Sequence, residues 1–383
     1  MKLRIAHGPF AAAVADAARA LPARPPVPVL AALKLTAENG MLTAAGFDYE
    51  VSGQASAPAD VTEPGTVLVS GRLLAEITRI LKGNQPIDLQ LEGARLTLVS
   101  GPTRYTLHTL PLEEYPSLPK LGEPSGTLSG SELADAVAQV FTAAGRDDTL
   151  PVLTGIQLDL GDGKLTLAAT DRYRFAVRTL NWDAADGAPA AAKVLIPAKG
   201  LMDTVKMLTD ADRISVTLPG LSGVLGLSAP SRATTMRAIE GELPKYREIW
   251  PKHDSFNATA VIDTSELVAA VKRVALVAGR NQPIQLAFTD GSLSLQAGTS
   301  DDAQAVDVLD AQFQADEDFT IAFNPAFLLD GLIALAAPAT AFWFTEKTKP
   351  ALLTGADAGA DISQLDIDDD ALQYLLMPIR LSD

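Results

Sequence analysis

Ser131–Arg146 reads SELADAVAQVFTAAGR, and Ser265–Arg280 reads SELVAAVKRVALVAGR, 134 residues further along the chain. A weaker copy lies near the N-terminus, where Phe10 and Val14 begin a helical pattern that ends before Arg24. Self-similarity of this kind indicates that one structural unit occurs several times. The segment therefore predicts a chain built from three copies of one unit.

Each copy of this segment is predicted to be an amphipathic helix. In the third copy Leu267, Val271 and Val274 fall on one face at a period of 3.6 residues. In the second copy Ser131 precedes the apolar run, which predicts that it is the N-cap residue. These helices are expected to face a core.

A second helical element recurs at a constant offset and fixes the number of units at three. Leu74, Leu201 and Leu328 are separated by 127 residues at both steps, and the same holds for Leu81, Leu208 and Leu335. Three units give a common domain size. The predicted domains are residues 1–122, 123–252 and 253–383.

Asn-Gly or Asp-Gly pairs stand between alternating apolar runs in all three units, at residues 39–40, 162–163 and 290–291. Such pairs are strong signals for β-hairpins. Further hairpins are predicted after each second helix. The expected fold class is therefore α+β, with three repeated domains that each combine antiparallel β-sheet with two α-helices.

Composition limits the class of protein. The chain has 383 residues, of which 47% are hydrophobic and 20% charged, values typical of a globular protein. It contains no cysteine, which excludes disulfides and thiolate chemistry. Asp16 and Arg19 interrupt the alanine-rich N-terminal run, which argues against a signal peptide. A cytoplasmic protein without a membrane span is expected.

Basic side chains recur on the predicted helices although the net charge is −16. Arg72 and Arg79 are seven residues apart, and Lys199 and Lys206 repeat this spacing 127 residues later. Gln139 with Arg146, and Arg273 with Arg280, show the same spacing on the other helices, with Lys272 beside them. Residues seven apart lie on one side of a helix.

Two interpretations of these cations remain open. They could be solvated faces with local ion pairs to Glu76 and Asp203, worth only ~0.3–0.5 kcal/mol each. Alternatively, three like domains closed into a ring would bring the basic faces together on the inside. A ring of that kind would hold DNA weakly and without sequence preference.

Several motifs resemble a known family. They are PVLTG from Pro151, TDRYRFAVR at Thr170–Arg178, EGELPKYREIWP at Glu240–Pro251 and YLLMPIRL at Tyr374–Leu381. Together with the three repeats, they resemble the bacterial DNA sliding clamp, the β subunit of DNA polymerase III, over essentially the whole chain. The resemblance implies the DNA clamp fold, a head-to-tail homodimeric ring around duplex DNA and a processivity factor without catalytic activity, cofactor or metal.

The resemblance also implies three sets of functional residues. The DNA-binding set is Arg24, Arg72, Arg79, Lys82, Arg146, Lys199, Lys206, Lys272, Arg273 and Arg280. A pocket for short partner peptides would involve Leu153, Thr170, Arg172, Tyr173, Arg174, Phe175, Pro244, Ile249, Met377, Pro378, Ile379, Arg380 and Leu381. Thr170 and Arg174 would fix the peptide backbone, and the apolar side chains would hold aliphatic and aromatic anchors. The dimer interface would place Leu276 and Val277 against Tyr105 and Leu107 of a second copy.

The interface is supported in part by the residues themselves. Leu276 lies nine positions after Leu267, about 180° round a continuing helix, and its counterpart in the second repeat is Thr142. An exposed apolar residue in one repeat that is polar in the other suggests an interface at the third domain. An isolated exposed leucine is the ordinary alternative.

The expected partners are a second copy of the chain, double-stranded DNA, the polymerase α subunit, the clamp loader, and other polymerases and repair proteins. Small-molecule or cyclic-peptide inhibitors would be further ligands of the same pocket. The loop Arg172–Phe175 is bulkier than in many relatives, which motivates an alternative function: a clamp-like paralogue that resists or sequesters such a ligand. A second alternative is a metal-dependent nuclease that uses Asp366, Asp368, Asp369 and Asp370.

Overall fold

The computed structural model describes residues 1–81, 85–220, 223–248, 250–279, 282–298 and 303–380. The chain forms two compact units, of which the first comprises residues 1–134, 183–189 and 200–238. The second comprises residues 135–182, 190–199 and 239–383. The middle repeat thus contributes to both units. In the part of the chain that the structure describes, no helix is long and apolar enough to cross a bilayer.

Each repeat contains two α-helices and a set of antiparallel strands. The first has β1 (Lys2–Ile5), α1 (His7–Ala18), β2 (Ala32–Glu38), β3 (Met41–Phe47), β4 (Val51–Glu63), β5 (Gly65–Ser70), α2 (Gly71–Ile80), β6 (Ile87–Glu92), β7 (Arg95–Ser100) and β8 (Thr103–Leu110). The second has β9 (Gly126–Ser129), α3 (Gly130–Phe141), β10 (Gly155–Gly161), β11 (Lys164–Thr170), β12 (Arg174–Asn181), β13 (Asp183–Ala184), β14 (Ala192–Pro197), α4 (Ala198–Leu208), β15 (Arg213–Thr217), β16 (Val224–Ala229) and β17 (Arg232–Arg237).

The third repeat follows the same order with one additional short strand. It has β18 (Ala258–Asp263), α5 (Thr264–Val274), β19 (Ile284–Thr289), β20 (Ser292–Gly298), β21 (Gln304–Asp310), β22 (Gln312–Gln314), β23 (Phe319–Phe323), α6 (Pro325–Leu335), β24 (Ala339–Phe344), β25 (Ala351–Ala356) and β26 (Gln373–Leu376). Single 3₁₀ turns lie at Pro28–Ala31, Leu112–Glu114, Pro151–Thr154, Tyr246–Glu248, His253–Ser255 and Ile362–Gln364.

The repeated leucines occupy the cores, as predicted. Leu74 and Leu328 are fully buried, and Leu201 is 1% exposed. The stripe of α5 is buried in the same way, at Leu267, Val271 and Val274. The apolar periodicity of the sequence therefore identified the core faces of these helices.

The helix ends differ from the prediction. The helix α3 begins at Gly130, and the hydroxyl of Ser129 accepts the Glu132 N–H at 3.4 Å. The N-cap assignment to Ser131 was therefore wrong, since this residue lies inside the helix. The helix also ends at Phe141, so Arg146 does not share a helical face with Gln139.

The predicted hairpin turns are present and show the expected backbone. Asn39 and Gly40 have φ values of 50° and 74°, and Asp162 and Gly163 have 52° and 71°. Positive φ at both central residues is the feature of the type I′ turn, which Asn-Gly and Asp-Gly adopt at low cost. These turns set the register of β2 with β3 and of β10 with β11.

Backbone pairing joins successive repeats inside each unit. In the first unit β4 pairs with β17, so Val51–Ala55 lie opposite Arg232–Met236. In the second unit β12 pairs with β26, so Arg174–Val177 lie opposite Gln373–Leu376. In both cases the third strand of a meander meets the last strand of the following repeat. The sheets are therefore continuous across the boundaries between repeats.

The corresponding strands at the two ends of this series lack such a partner. The strand β21 completes the meander β19–β20–β21 and pairs only with β20 among the described strands. The strand β8, which ends the first repeat, pairs with β7 and, at Thr109 and Leu110, with β5. The outer edge of Thr103–His108 therefore has no strand partner in the described ranges. Unpaired strand edges are templates for pairing with another chain.

Side chains reinforce the pairing of β4 with β17. The guanidinium of Arg232 binds both carboxylate oxygens of Asp210, the carbonyl of Met207 near the end of α4, and Asp16 of α1 at 3.2 Å. Hydrogen bonding to Arg232 lowers the pKa of Asp210. One arginine thus ties the first helix of one repeat to the second helix of the next.

The buried leucine register can be tested by Leu201→Ala. Truncation of a fully buried leucine is expected to lower the free energy of unfolding by about 2–5 kcal/mol, because a cavity remains. Leu73→Ala is the control, since Leu73 is 46% exposed on α2, and its effect is expected to stay within about 0.5 kcal/mol. Chemical denaturation measures both, and equal losses would contradict the register.

Candidate functional site

A cavity of about 370 Å³ lies in the second unit. It is bounded by the segment after α3, the turn between β11 and β12, and one side chain of α6. Its lining residues are Gly145, Arg146, Asp147, Leu150, Leu153, Asp171, Arg172, Tyr173 and Phe327. Apolar side chains surrounded by a few charged groups are typical of ligand pockets.

The turn between β11 and β12 is ordered by the carboxylate of Asp171. One of its oxygens accepts the N–H groups of Tyr173 and Arg174 at 3.0 and 3.1 Å. Arg172 has φ of 80°, a left-handed conformation that is unfavourable for a residue with a side chain. Tyr173 is 55% exposed and stacks on Phe327, with ring centroids 5.9 Å apart. The turn thus presents an aromatic ring at the cavity.

Thr170 and Arg174 support this turn from behind. The Thr170 hydroxyl donates to the Arg174 carbonyl at 2.7 Å and accepts the Arg172 N–H at 3.1 Å. The Arg174 side chain is only 4% exposed, and its guanidinium binds Asp171 at 3.0 Å and Asp330 at 2.6 Å. Both side chains are therefore engaged by the protein itself.

An aromatic cluster lies next to the turn. The ring of Phe175 is 4.7 Å from that of Tyr246 and 6.0 Å from that of Trp250. Phe175 and Tyr246 are 4% and 7% exposed, so they belong to the core of this unit. Pro244 is exposed two residues before Tyr246.

The C-terminal segment is attached to the same region. The Met377 N–H donates to the Tyr173 carbonyl at 2.9 Å, and the Ile379 N–H donates to the Ala322 carbonyl at 2.8 Å. Pro378 is half-buried and Arg380 is exposed. The predicted pocket residues Ile249 and Leu381 lie outside the described residues. The remaining predicted pocket residues are all in the second unit, and Leu153, Arg172 and Tyr173 line the cavity directly.

Phe327, Leu150 and Arg146 line the cavity but were absent from the predicted pocket set. A signal for Phe327 was present in the repeats, because the 127-residue offset aligns it with Leu73 and Gly200. The position is aromatic only in the third repeat. Arg146 was predicted to bind DNA, and its place on the cavity rim gives it a second candidate role.

The predicted DNA-binding cations of the first unit are exposed. Arg72 donates to the carbonyls of Pro22 and Ala23 at 3.0 and 2.6 Å, which fixes the segment that carries Arg24. Arg79 and Lys206 are exposed in the last turns of α2 and α4. Cations there also favour the helix dipole, so these residues stabilise their helices whether or not DNA is bound.

The other predicted cations have varied environments. Lys199 and Lys272 are exposed on α4 and α5. Arg273 forms an ion pair with Asp307 of β21 at 2.6 Å, which places it beside the free strand edge. Lys82 and Arg280 lie outside the described residues. At the position equivalent to Arg79 and Lys206 the third repeat has Ile333, which is 59% exposed on α6.

Exposed apolar side chains accompany the free edge of β21. Leu276 is 85% exposed, which confirms the predicted exposure, although α5 ends at Val274 and Leu276 lies in the following turn. Val306 and Val308 on β21 are 58% and 61% exposed. On β8, Leu107 is buried in the first core and Tyr105 packs against that core. Alternation along β21 gave a signal for the two valines that the prediction had not used.

The acidic run near the C-terminus is engaged by protein groups. Lys164 forms an ion pair with Asp370, and Asp369 accepts from the Gln373 amide at 3.0 Å and lies 3.5 Å from His253. Within the described residues, no group of three histidine or carboxylate side chains is arranged to hold a metal ion. The residues therefore give no support to the nuclease alternative.

Comparison with known proteins gives consistent matches along the chain. Models of the N-terminal, central and C-terminal domains of the DNA polymerase III beta subunit match residues 1–119, 127–245 and 247–380. The beta sliding clamp of Streptomyces coelicolor is 52% identical over 100% of both chains. The beta sliding clamp homolog GriR of Streptomyces muensis is 41% identical over 99% of both chains.

Solved structures agree with the sequence comparisons. A sliding clamp from Pseudomonas aeruginosa bound to griselimycin superposes with a TM-score of 0.90 at 25% identity, covering 100% of both chains. The sliding clamp of Bacillus subtilis superposes with a TM-score of 0.89 at 23% identity over 100% of both chains. The chain belongs to the DNA polymerase III beta subunit family, the bacterial sliding clamps.

Proposed function

We propose that this chain is the processivity clamp of a replicative DNA polymerase and works as a closed ring of two copies around duplex DNA. The observation that carries this proposal is the pair of free strand edges, β21 in the third repeat and Thr103–His108 of β8 in the first. Each is equivalent to a strand that joins neighbouring repeats elsewhere in the chain. Pairing β21 of one copy with β8 of another would continue the same sheet pattern, head to tail.

The side chains at the two edges support this pairing. Leu276, Val306 and Val308 are exposed apolar groups at the third repeat, next to Val277. Asp307 and Asp310 give β21 negative charge, whereas β8 carries Arg104 and His108 on its exposed face. Tyr105 and Leu107 alternate with these cations. Apolar contact combined with opposite charges is suitable for a specific interface.

The ring would hold DNA by its helices without reading its sequence. The exposed cations Arg24, Arg72, Arg79, Lys199, Lys206 and Lys272 are the proposed phosphate contacts, with Arg146, Arg273, Lys82 and Arg280 as the remaining members of the set. A protein with net charge −16 would not bind DNA strongly by general attraction. Topological enclosure would therefore supply the retention and the cations would supply weak, mobile contacts.

The cavity and its surroundings are proposed as the binding site for short peptides of the polymerase, the clamp loader and repair proteins. Tyr173, Phe327 and Leu153 offer apolar contact, while Arg146 and Arg172 place positive charge at the rim. The same site is a candidate for cyclic-peptide inhibitors such as griselimycin. We assign the chain no catalytic activity of its own and place its function in the cytoplasm. The proposed domains are residues 1–122, 123–252 and 253–383, supported by the three family-model matches.

The alternative role as a ligand-resisting paralogue has less support. Identity is 52% to the Streptomyces coelicolor clamp and 41% to the homolog GriR, both over almost the whole chain. Replacement of the resident clamp gene by the gene for this chain would separate the two functions. Support of replication is expected, and failure to support it would favour the paralogue.

Light scattering tests the two-copy ring. The unsubstituted protein is expected to have a mass near twice 40.2 kDa, and Leu276→Lys with Val306→Lys is expected to give single copies. The reason is that two charges would have to be buried at the new interface. Ile333→Lys is the matched control, because Ile333 is exposed to a similar extent away from the strand edges; its mass should not change. Single copies of the unsubstituted protein over a dilution series would contradict the ring.

Retention on DNA tests topological enclosure. Protein loaded on circular DNA is expected to remain bound near 1 M salt, where the Debye length is ~3 Å, and to be lost when the DNA is linearised. Replacing Arg79 and Lys206 by alanine is expected to weaken loading with little change in the thermal midpoint. Lys347→Ala removes a cation outside the helices and is expected to load normally. Equal loss from circular and linear DNA would rule out enclosure.

A further inference from the structure

One charged residue outside the predicted site has a direct connection to the cavity wall. Asp330 lies on α6, three residues after Phe327, and its carboxylate binds the Arg174 guanidinium at 2.6 Å. The two residues are 156 positions apart and belong to the third and second repeats. The Asp330 side chain is 41% exposed, whereas that of Arg174 is 4% exposed. The pair therefore has one buried member whose charge needs a partner.

Tyr374 extends this ion pair to the backbone of Phe327. Its hydroxyl lies 3.3 Å from the guanidinium of Arg174 and donates to the Phe327 carbonyl at 2.8 Å. Burial raises the pKa of Tyr374 well above its usual value, so the phenol keeps the proton that it donates. The three side chains thus hold the first turn of α6 by its backbone as well as by its carboxylate.

The ring of Phe327 is fixed on both faces. The Arg174 guanidinium carbon lies 4.4 Å from its centroid, and the Tyr173 ring stacks on it with an interplanar angle of 26°. A cation close to an aromatic face is attracted by the ring quadrupole. The helix also approaches β26 very closely, since a Cβ added to Gly331 would lie 2.4 Å from the Tyr374 ring. The position of Phe327 is therefore set by groups that do not line the cavity.

We propose that Asp330 is a positioning residue for the peptide pocket, which together with Arg174 and Tyr374 holds Phe327 in place as one wall of the cavity. In this arrangement Arg174 acts on a bound peptide through Phe327 and the 171–173 turn rather than by donating to the peptide backbone. The inference rests on the proposed peptide-binding function of the cavity. It adds a residue whose role is to shape that site.

The test uses the full-length protein and fluorescence anisotropy with a short fluorescein-labelled synthetic peptide that carries leucine and phenylalanine as apolar anchors. Asp330→Asn keeps the shape of the side chain but removes the charge that Arg174 binds. The dissociation constant is expected to rise about tenfold, as for the loss of one charge-assisted hydrogen bond. Tyr374→Phe keeps the ring and removes only the hydroxyl, and is expected to weaken binding in the same direction.

A double-mutant cycle distinguishes positioning from a general loss of stability. If Asp330 acts through Phe327, Asp330→Asn should have little further effect in a Phe327→Ala background. Asp263→Ala is the structural control, because it removes the side chain that caps α5 through the Glu266 N–H at 2.9 Å. It is expected to lower the thermal midpoint and leave the peptide dissociation constant unchanged.

The outcomes separate this inference from the proposed function. Undiminished peptide binding by Asp330→Asn and Tyr374→Phe, or effects of Asp330→Asn and Phe327→Ala that simply add, would overturn the positioning role alone. An unsubstituted protein that fails to bind the peptide would overturn the pocket and the positioning role with it. The two-copy ring and its retention on DNA are measured independently of either result.

Discussion

The need to pair strand edges governs this chain. Each repeat contains a meander whose third strand would be left with unpaired N–H and C=O groups, and such edges are a liability in a soluble protein. Within the chain the liability is met twice, by β17 beside β4 and by β26 beside β12. A series of three repeats with two such contacts necessarily has one acceptor edge and one donor edge left over. The free edges of β21 and β8 are a consequence of the repeat number, which makes self-association the natural completion of the sheets.

The parts of the fold that depend on local chemistry were predictable from the sequence. Apolar periodicity located the buried faces of α2, α4 and α6 through Leu74, Leu201 and Leu328, and Asn-Gly or Asp-Gly pairs located the hairpins. The ends of the helices were less accessible. The segment around Ser131 is helical in composition through Arg146, yet α3 ends at Phe141, where Ala143 and Ala144 turn back on the helix through their own N–H groups. Alanine and glycine permit both outcomes, so tertiary packing decides between them.

The candidate pocket was only partly predictable because its organisation is non-local. Motif resemblance pointed to the 170–175 turn and the C-terminal segment, and both are joined by the hydrogen bond between Met377 and Tyr173. Nothing in the sequence near Arg174 indicates that its partner is Asp330 on another repeat. Spacing along the chain carries no information about such a contact, since the two residues meet only when β12 and α6 are packed in the same unit. A buried guanidinium without a nearby carboxylate in the sequence is the kind of feature that only a structure resolves.

The three repeats also show how one scaffold position takes different roles. The buried stripes align Asp16, Gln139 and Arg273 on the first helices: Asp16 binds Arg232 across the junction of β4 with β17, whereas Arg273 binds Asp307 on the free edge. On the second helices the 127-residue offset aligns Arg79 and Lys206 with Ile333, and Leu73 and Gly200 with Phe327. The third repeat has thus exchanged an exposed cation for an apolar group and gained an aromatic wall for the cavity. Because the core leucines of all three helices are retained, these exchanges alter what each helix presents to its surroundings without altering how it packs.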